Sequence, residues 1–334
     1  MKTDTRFKIL KILDEKRQAR AHDLGKALDI SQVAVHKQLK KLLEEGKISK
    51  AGNPPFVVYL PKVKKAKHQQ PKFGNARVTP IIEERYLYVS PEGKIFKGTA
   101  GFAEWVFQIE KRTGKKQDFA QLAHEYVKIR NEADTFYKDK KWINAIEKMK
   151  NTFKKVFIDK VFYQDFYSLP KFGKTKLGNL VLYSKQSQNK ELIRDIVKKI
   201  FPVINKIIKE YKIEAILFIP HSIPRKLQFL KYLKEQLDLS LPVVDLAKAY
   251  AGEVPVAQKS LNKLEDRIIN AKETIFIKDS EIPYKNVLLI DDAVGSGATL
   301  NETAKKLKRN YGLTKVYGYA IVGSYKGFEV IKEI

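Results

Sequence analysis

The stretch NVLLIDDAVGSGATLNETAKKLKRN, residues 286–310, decides how this chain is read. Val287 to Ile290 form a short, continuous apolar run, the pattern of a strand buried on both faces. Two adjacent acids, Asp291 and Asp292, follow it. Next come seven small or hydroxyl residues, Ala293, Val294, Gly295, Ser296, Gly297, Ala298 and Thr299, and then the amphipathic helical pattern LNETAKKLKRN. Exposed loop amides and the positive end of a helix attract an anion. Gly295 and Gly297 permit close backbone approach and unusual φ angles. A phosphate held at 293–299 would leave a neighbouring polyol within reach of the two carboxylates. Carboxylates that accept from vicinal hydroxyls suit a ribose. The loop lacks the GxxxxGK[ST] spacing of a nucleoside-triphosphate P-loop.

The surrounding pattern fits that reading. EAILFIP and KVYGYAIVG are strand-like, and NKELIRDIVKKIFPVINKIIKEYK and IPRKLQFLKYLKEQL are helical. Strands alternating with helices predict a parallel sheet with helices on its faces, whose ligands sit beyond the carboxyl ends of the strands.

VLLIDDAVGSGATL resembles the phosphoribosyl-pyrophosphate (PRPP) signature of type I phosphoribosyltransferases. A narrower resemblance is to the competence protein ComF family. It rests on FGKTKLGNLVLYSKQSQN, FIPHSIPRKL and VAQKSLNKLEDRIINAKETIFI, in that order, and covers about residues 161–324. Gln258, Leu261, Arg267, Asn270 and Ala271 fit that family's Q…L…R…N…A run. The resemblance implies that Asp291 and Asp292 bind ribose hydroxyls and that Ala293 to Thr299 bind the 5′-phosphate. Mg2+ would arrive with the pyrophosphate rather than in a protein cage. Two departures stand out. The four-cysteine zinc module common in ComF proteins is missing. The Arg-Gly-Phe-Asn-Gln run after the first phosphate loop is replaced by PHSIPRKLQFLK, which offers Arg225 and Lys226 but no glycine. Catalytic residues therefore stay unassigned. Arg225 is a candidate for pyrophosphate, against a solvated helix start. Lys259 is another, since it lies where this fold often carries a mobile loop, against a plain surface lysine. His221 is expected as a satisfied loop histidine.

At the other end, DTRFKILKILDEK places Phe7, Ile9, Leu10, Ile12 and Leu13 at helical spacing. RAHDLGKALDI reads as a second helix, with Leu24, Ala27 and Leu28 inward. Ser31 is a suitable N-cap for QVAVHKQLKKLLEEG, whose buried face would carry Val35, Leu39 and Leu42. KISKAG, the turn NPP and FVVYLP form a two-stranded ribbon. This order resembles a winged helix-turn-helix over about residues 3–61. The resemblance implies that the helix after the turn enters the major groove of DNA. Gln32, Val33, His36 and Lys37 would then lie nearest base edges, and Lys40 and Lys41 nearest phosphates.

Composition points the same way. Lys and Arg number 65 against 38 Asp and Glu, a net charge of +27, which favours a polyanionic partner unless lysine is simply the default surface residue. With no cysteine, disulfides and thiolate zinc sites are excluded. The five histidines are scattered, so no dedicated metal site is expected. The charged N-terminus and the lack of a long apolar run predict a cytoplasmic chain with no membrane span.

The expected architecture is multidomain α/β. A winged helix-turn-helix occupies 3–61, a basic linker 62–79, a mostly helical connecting domain 80–155 and a parallel-sheet phosphoribosyltransferase-type domain 161–334. The connecting domain would use Trp105, Phe107, Phe119, Trp142 and Phe153 in its core. The expected function is a DNA-binding regulator whose C-terminal domain binds PRPP or a nucleotide. The alternatives are an active phosphoribosyltransferase and a ComF-like factor for single-stranded DNA uptake. A homodimer is the preferred state, by analogy with winged-helix regulators.

Overall fold

The computed structural model describes residues 4–61, 78–138, 140–279 and 281–325, with Lys259 described by its backbone alone. Nearly all of the expected linker at 62–79 lies outside these residues. The chain divides into two compact units near residue 69.

The first unit holds α1 (Thr5–Lys16), α2 (Ala21–Leu28), α3 (Gln32–Glu44), β1 (Ile48–Ala51) and β2 (Val58–Pro61). Ser31 Oγ accepts from the Ala34 amide at 3.3 Å and so starts α3. Val35, Leu39 and Leu42 line its inner face and pack with Ile9, Leu13 and Leu24. One inward expectation fails, and one apolar residue of α1's pattern faces out. Phe7 is 62% exposed because the buried stripe of α1 is set by Ile9 and Leu13, and a residue two before Ile9 points about 200° away from it. Ala27 is exposed, and Gly25 is buried beside Leu24 instead. A Cβ on Gly25 would stand 3.2 Å from the Ile30 carbonyl oxygen, a close approach that favours glycine there. β1 and β2 pair antiparallel, from Ile48 opposite Pro61 to Ala51 opposite Val58. Tyr59 also exchanges both backbone hydrogen bonds with Ala19, at 2.8 and 3.0 Å, which ties the wing back to the turn before α2.

The second unit begins with α4 (Val78–Arg85), β3 (Leu87–Val89), β4 (Ile95–Lys97), α5 (Gly98–Thr113), α6 (Phe119–Asp134), β5 (Ile143–Asn144) and α7 (Ile146–Thr152). β6 (Lys160–Phe166), β7 (Ser168–Leu169), β8 (Gly173–Lys174), α8 (Lys176–Ser187), α9 (Lys190–Tyr211), β9 (Ala215–Phe218) and α10 (Phe229–Leu237) come next. β10 (Leu246–Lys248), α11 (Leu264–Thr274), β11 (Ile275–Ile277), β12 (Asn286–Val294), α12 (Ala298–Tyr311) and β13 (Lys315–Gly323) complete it. The main sheet runs β5-β6-β13-β12-β9, parallel throughout except for β5 at one edge.

β12 is the inner strand of this sheet that carries the acids, and its apolar run is split between two cores. Val287 and Leu289 pack on one face with Leu300, Ala304 and Leu307 of α12. Leu288 and Ile290 pack on the other with Leu180 of α8, Ile196 and Ile200 of α9 and Leu233 of α10. Burial on both faces is what a continuous apolar strand requires.

Residues 80–155, read from sequence as a connecting domain, share a core with the sheet. Ile82, Phe102, Tyr126 and Met149 belong to the same apolar cluster as Val161, Leu289 and Ala320. Phe102 is its central ring, while Trp105 and Phe119 pack against it from partly buried positions and Phe107 is exposed. A buried ion pair crosses the same junction. Arg130, 1% exposed, donates to Asp165 on β6 at 2.9 Å and to Asp134 at 2.6 Å, and the Tyr137 hydroxyl donates to Asp165 at 3.2 Å. Removing one partner leaves a buried charge alone, so Arg130→Ala should destabilise the second unit by about 3–5 kcal/mol. Urea unfolding followed by tryptophan fluorescence measures it, since both tryptophans, Trp105 and Trp142, lie in this unit.

Candidate functional site

The ladder between β12 and β13 runs beyond the acids. Asp291 pairs with Ala320, Ala293 with Val322 and Val294 with Gly323. Ala293 and Val294 are therefore strand, not loop, because β13 is long enough to keep pairing them. Ala298 and Thr299 already belong to α12. The loop proper is Gly295-Ser296-Gly297. Gly297 sits at φ 79°, in the left-handed region, and as the N-cap it offers the first amides of α12 no side chain; the Ala298 amide donates to Ser296 Oγ at 3.4 Å. Those amides and the helix's positive end make an anion-attracting turn.

Asp291, Asp292, the turn and Thr299 line one cavity of about 720 Å³. Ala298 does not line it, being buried against the sheet. The carboxylates reach it as a coupled pair. The Asp292 amide donates to Asp291 Oδ1 at 2.7 Å, and Asp292 Oδ2 lies 2.6 Å from Lys185 Nζ on α8. Burial, and then the neighbouring Asp292 charge, push the Asp291 carboxyl up to about 7. Burial also pulls the Lys248 ammonium down to about 8, an effect the Asp291 charge opposes. Lys248 Nζ is held by Ser222 Oγ at 2.8 Å and Asn270 Oδ1 at 3.3 Å.

The cavity's other wall is the segment after β9. His221, Ser222 and Arg225 line it, and burial moves the His221 ring below its ordinary pKa. The predicted helix from Ile223 starts only at Phe229, so Arg225 lies in an irregular stretch. Its guanidinium donates to the Lys185 carbonyl. The Leu227 amide donates to Gln188 Oε1 at 2.7 Å, so this stretch is fastened to the end of α8. Lys259 falls in a 3-10 turn, Gln258–Ser260, beside the cavity residue Gln258.

The Q…L…R…N…A run acquires a structural meaning. Gln258 Nε2 donates to the Arg267 carbonyl at 2.9 Å, and Arg267 Nε donates to the Leu261 carbonyl at 2.8 Å. Asn270 takes Lys248 on its oxygen and donates to the Val256 carbonyl at 3.4 Å, while Ala271 is buried. These contacts brace residues 256–261 against α11. Sequence reasoning missed Lys185, Ser222 and Lys248. Each is an ordinary residue in its own segment, and only folding brings it to the acids.

On the first unit, Gln32, Val33, His36, Lys37, Lys40 and Lys41 are all exposed along the outer side of α3, with Val33 79% exposed. Among the described residues no three His, Cys, Asp or Glu cluster as metal ligands, and no helix is long and apolar enough to cross a membrane.

Residues 2–49 match the family described as winged helix-turn-helix DNA-binding. With the two strands that follow, the first unit is a winged helix-turn-helix of the DNA-binding kind. No curated protein matches the chain. Among solved structures, a hypoxanthine-guanine phosphoribosyltransferase from Bacillus anthracis aligns at 15% identity with a TM-score of 0.25, over 44% of this chain and 74% of its own. A hypoxanthine phosphoribosyltransferase from Staphylococcus aureus aligns at 21% identity with a TM-score of 0.24, over 44% of this chain and 70% of its own. Alignments this loose decide neither fold nor activity.

The raised Asp291 pKa has a consequence for stability. A carboxyl whose pKa rises on folding contributes stability fully present below its unfolded value of 3.8, and that stability is lost as pH climbs through about 7. Without ligand, Asp291→Asn should therefore have a higher thermal midpoint than wild type at pH 8. The gap should shrink as pH falls from 7 toward 4, as read by melting curves across that range.

Proposed function

We propose that this protein is a DNA-binding regulator whose second unit binds PRPP or a nucleotide. One observation carries the reading: the acid pair and the glycine turn, adjacent in sequence, open into one cavity large enough for such a ligand. The turn's amides, with Ser296 and Thr299, would hold the 5′-phosphate. Asp291 and Asp292 would accept from the ribose hydroxyls. Any magnesium would ride on the ligand's own pyrophosphate rather than on a protein cage. Ligand binding would alter DNA binding only through unequal affinity for two states of the protein. A palindromic operator would call for a homodimer.

Turnover is the weaker reading, because no catalytic residue is assigned and the candidate Arg225 is engaged with the Lys185 carbonyl. A ComF-like role with single-stranded DNA stands behind both readings.

Calorimetry with PRPP and magnesium should give binding for wild type and a loss of about tenfold or more for Asp291→Asn/Asp292→Asn, the scale of lost hydrogen bonds to a charged group. No heat from wild type would sink the proposal. For the first unit, Lys37→Ala and Lys40→Ala should each weaken duplex binding, and Lys40→Ala should also lower the slope of log K against log salt by about 0.9. A fluorescence-anisotropy salt series measures both. The regulatory claim rests on a change in duplex affinity when PRPP is added.

A further inference from the structure

We propose that Lys185 and Lys248 act as the resident cations of the acid pair, so that a phosphoribosyl ligand is bound there without a divalent metal. This rests on the reading of the cavity given above and adds to it. Neither lysine belongs to the signature stretch. Lys185 comes from the last turn of α8 and Lys248 from the end of β10.

Both ammonium groups are placed before any ligand arrives. α8 is anchored in the sheet's core through Leu177, Leu180 and Val181, and its end is fastened by Arg225 and by the Leu227–Gln188 bond. Lys185 Nζ therefore meets Asp292 Oδ2 at 2.6 Å from a fixed base. Ser222 and Asn270 hold Lys248 within the electrostatic reach of Asp291. Lys185 thus contacts Asp292 while Lys248 lines the same cavity as Asp291, and with Asp291 raised toward neutrality that corner carries no net negative charge needing a metal to neutralise it.

The same contacts make the pair a poor seat for magnesium. Magnesium demands near-octahedral oxygens at about 2.0–2.1 Å and gives up water reluctantly. Here one oxygen of Asp292 is taken by an ammonium and one of Asp291 by the Asp292 amide. A cation approaching the remaining oxygens meets two positive charges. A sugar hydroxyl meets no such barrier, and the lysines add attraction for its phosphates.

The experiment is PRPP calorimetry in EDTA and again in magnesium, on wild type, Lys185→Met, Lys248→Met and Lys185→Arg. Wild type should bind in EDTA within about fivefold of its affinity in magnesium. Each Met variant should lose about tenfold or more in EDTA, the scale of a charge-assisted hydrogen bond, and recover part of that in magnesium. Lys185→Arg should keep most of the EDTA affinity, which a purely structural role for the side chain would not predict. Wild type binding only with magnesium, or Met variants matching wild type in EDTA, would overturn the inference and leave the proposed function standing. Binding in neither condition would overturn both.

Discussion

Burial of β12 on both faces is the constraint from which the second unit follows. A strand with Val287 and Leu289 in one core and Leu288 and Ile290 in the other needs helices above and below and strands on both sides. Such a strand can turn polar only where the sheet ends. The two acids fall where β9 stops pairing while β13 still flanks the strand, and the chain then reverses into α12 through Gly295-Ser296-Gly297, with Gly297 at positive φ. Acids, turn and helix start are thus brought together by the needs of one buried strand.

The polar corner is shared between distant segments. β12 supplies the carboxylates, α8 and β10 supply the lysines, and the stretch after β9 supplies Ser222 and Arg225. Placing ionisable groups in a partly dry cavity is costly, and the raised carboxyl and lowered ammonium register that cost. Perturbed groups in a cleft are what a binding site accumulates. The buried Arg130–Asp165 pair is ionic too, but it joins the helical segment to β6 and lines no part of this cavity.

Much was legible from local pattern. The winged helix could be read because three amphipathic helices and a hairpin each show their own period, and Ser31 marks a helix start by its chemistry. The strand, acid pair and glycine turn at 286–297 could be read for the same reason, since burial, charge and backbone freedom are written residue by residue. The errors fell where a long-range partner decides. Val294 looks like loop until β13 is present to pair with it. Residues 80–155 look self-sufficient because their periodicity is helical, and periodicity says nothing about which core a buried face joins.

Sequence by itself determined the three helices and hairpin of the first unit, the exposed basic face of α3 and the glycine turn after a buried strand. These depend on spacing along the chain, which sequence records directly. Tertiary structure alone decided that Lys185 faces Asp292, that Lys248 stands near Asp291 and that Arg225 is turned to a carbonyl. Lys185 and Asp292 are more than a hundred positions apart in the chain, and their attraction acts only after packing has brought α8 beside the sheet.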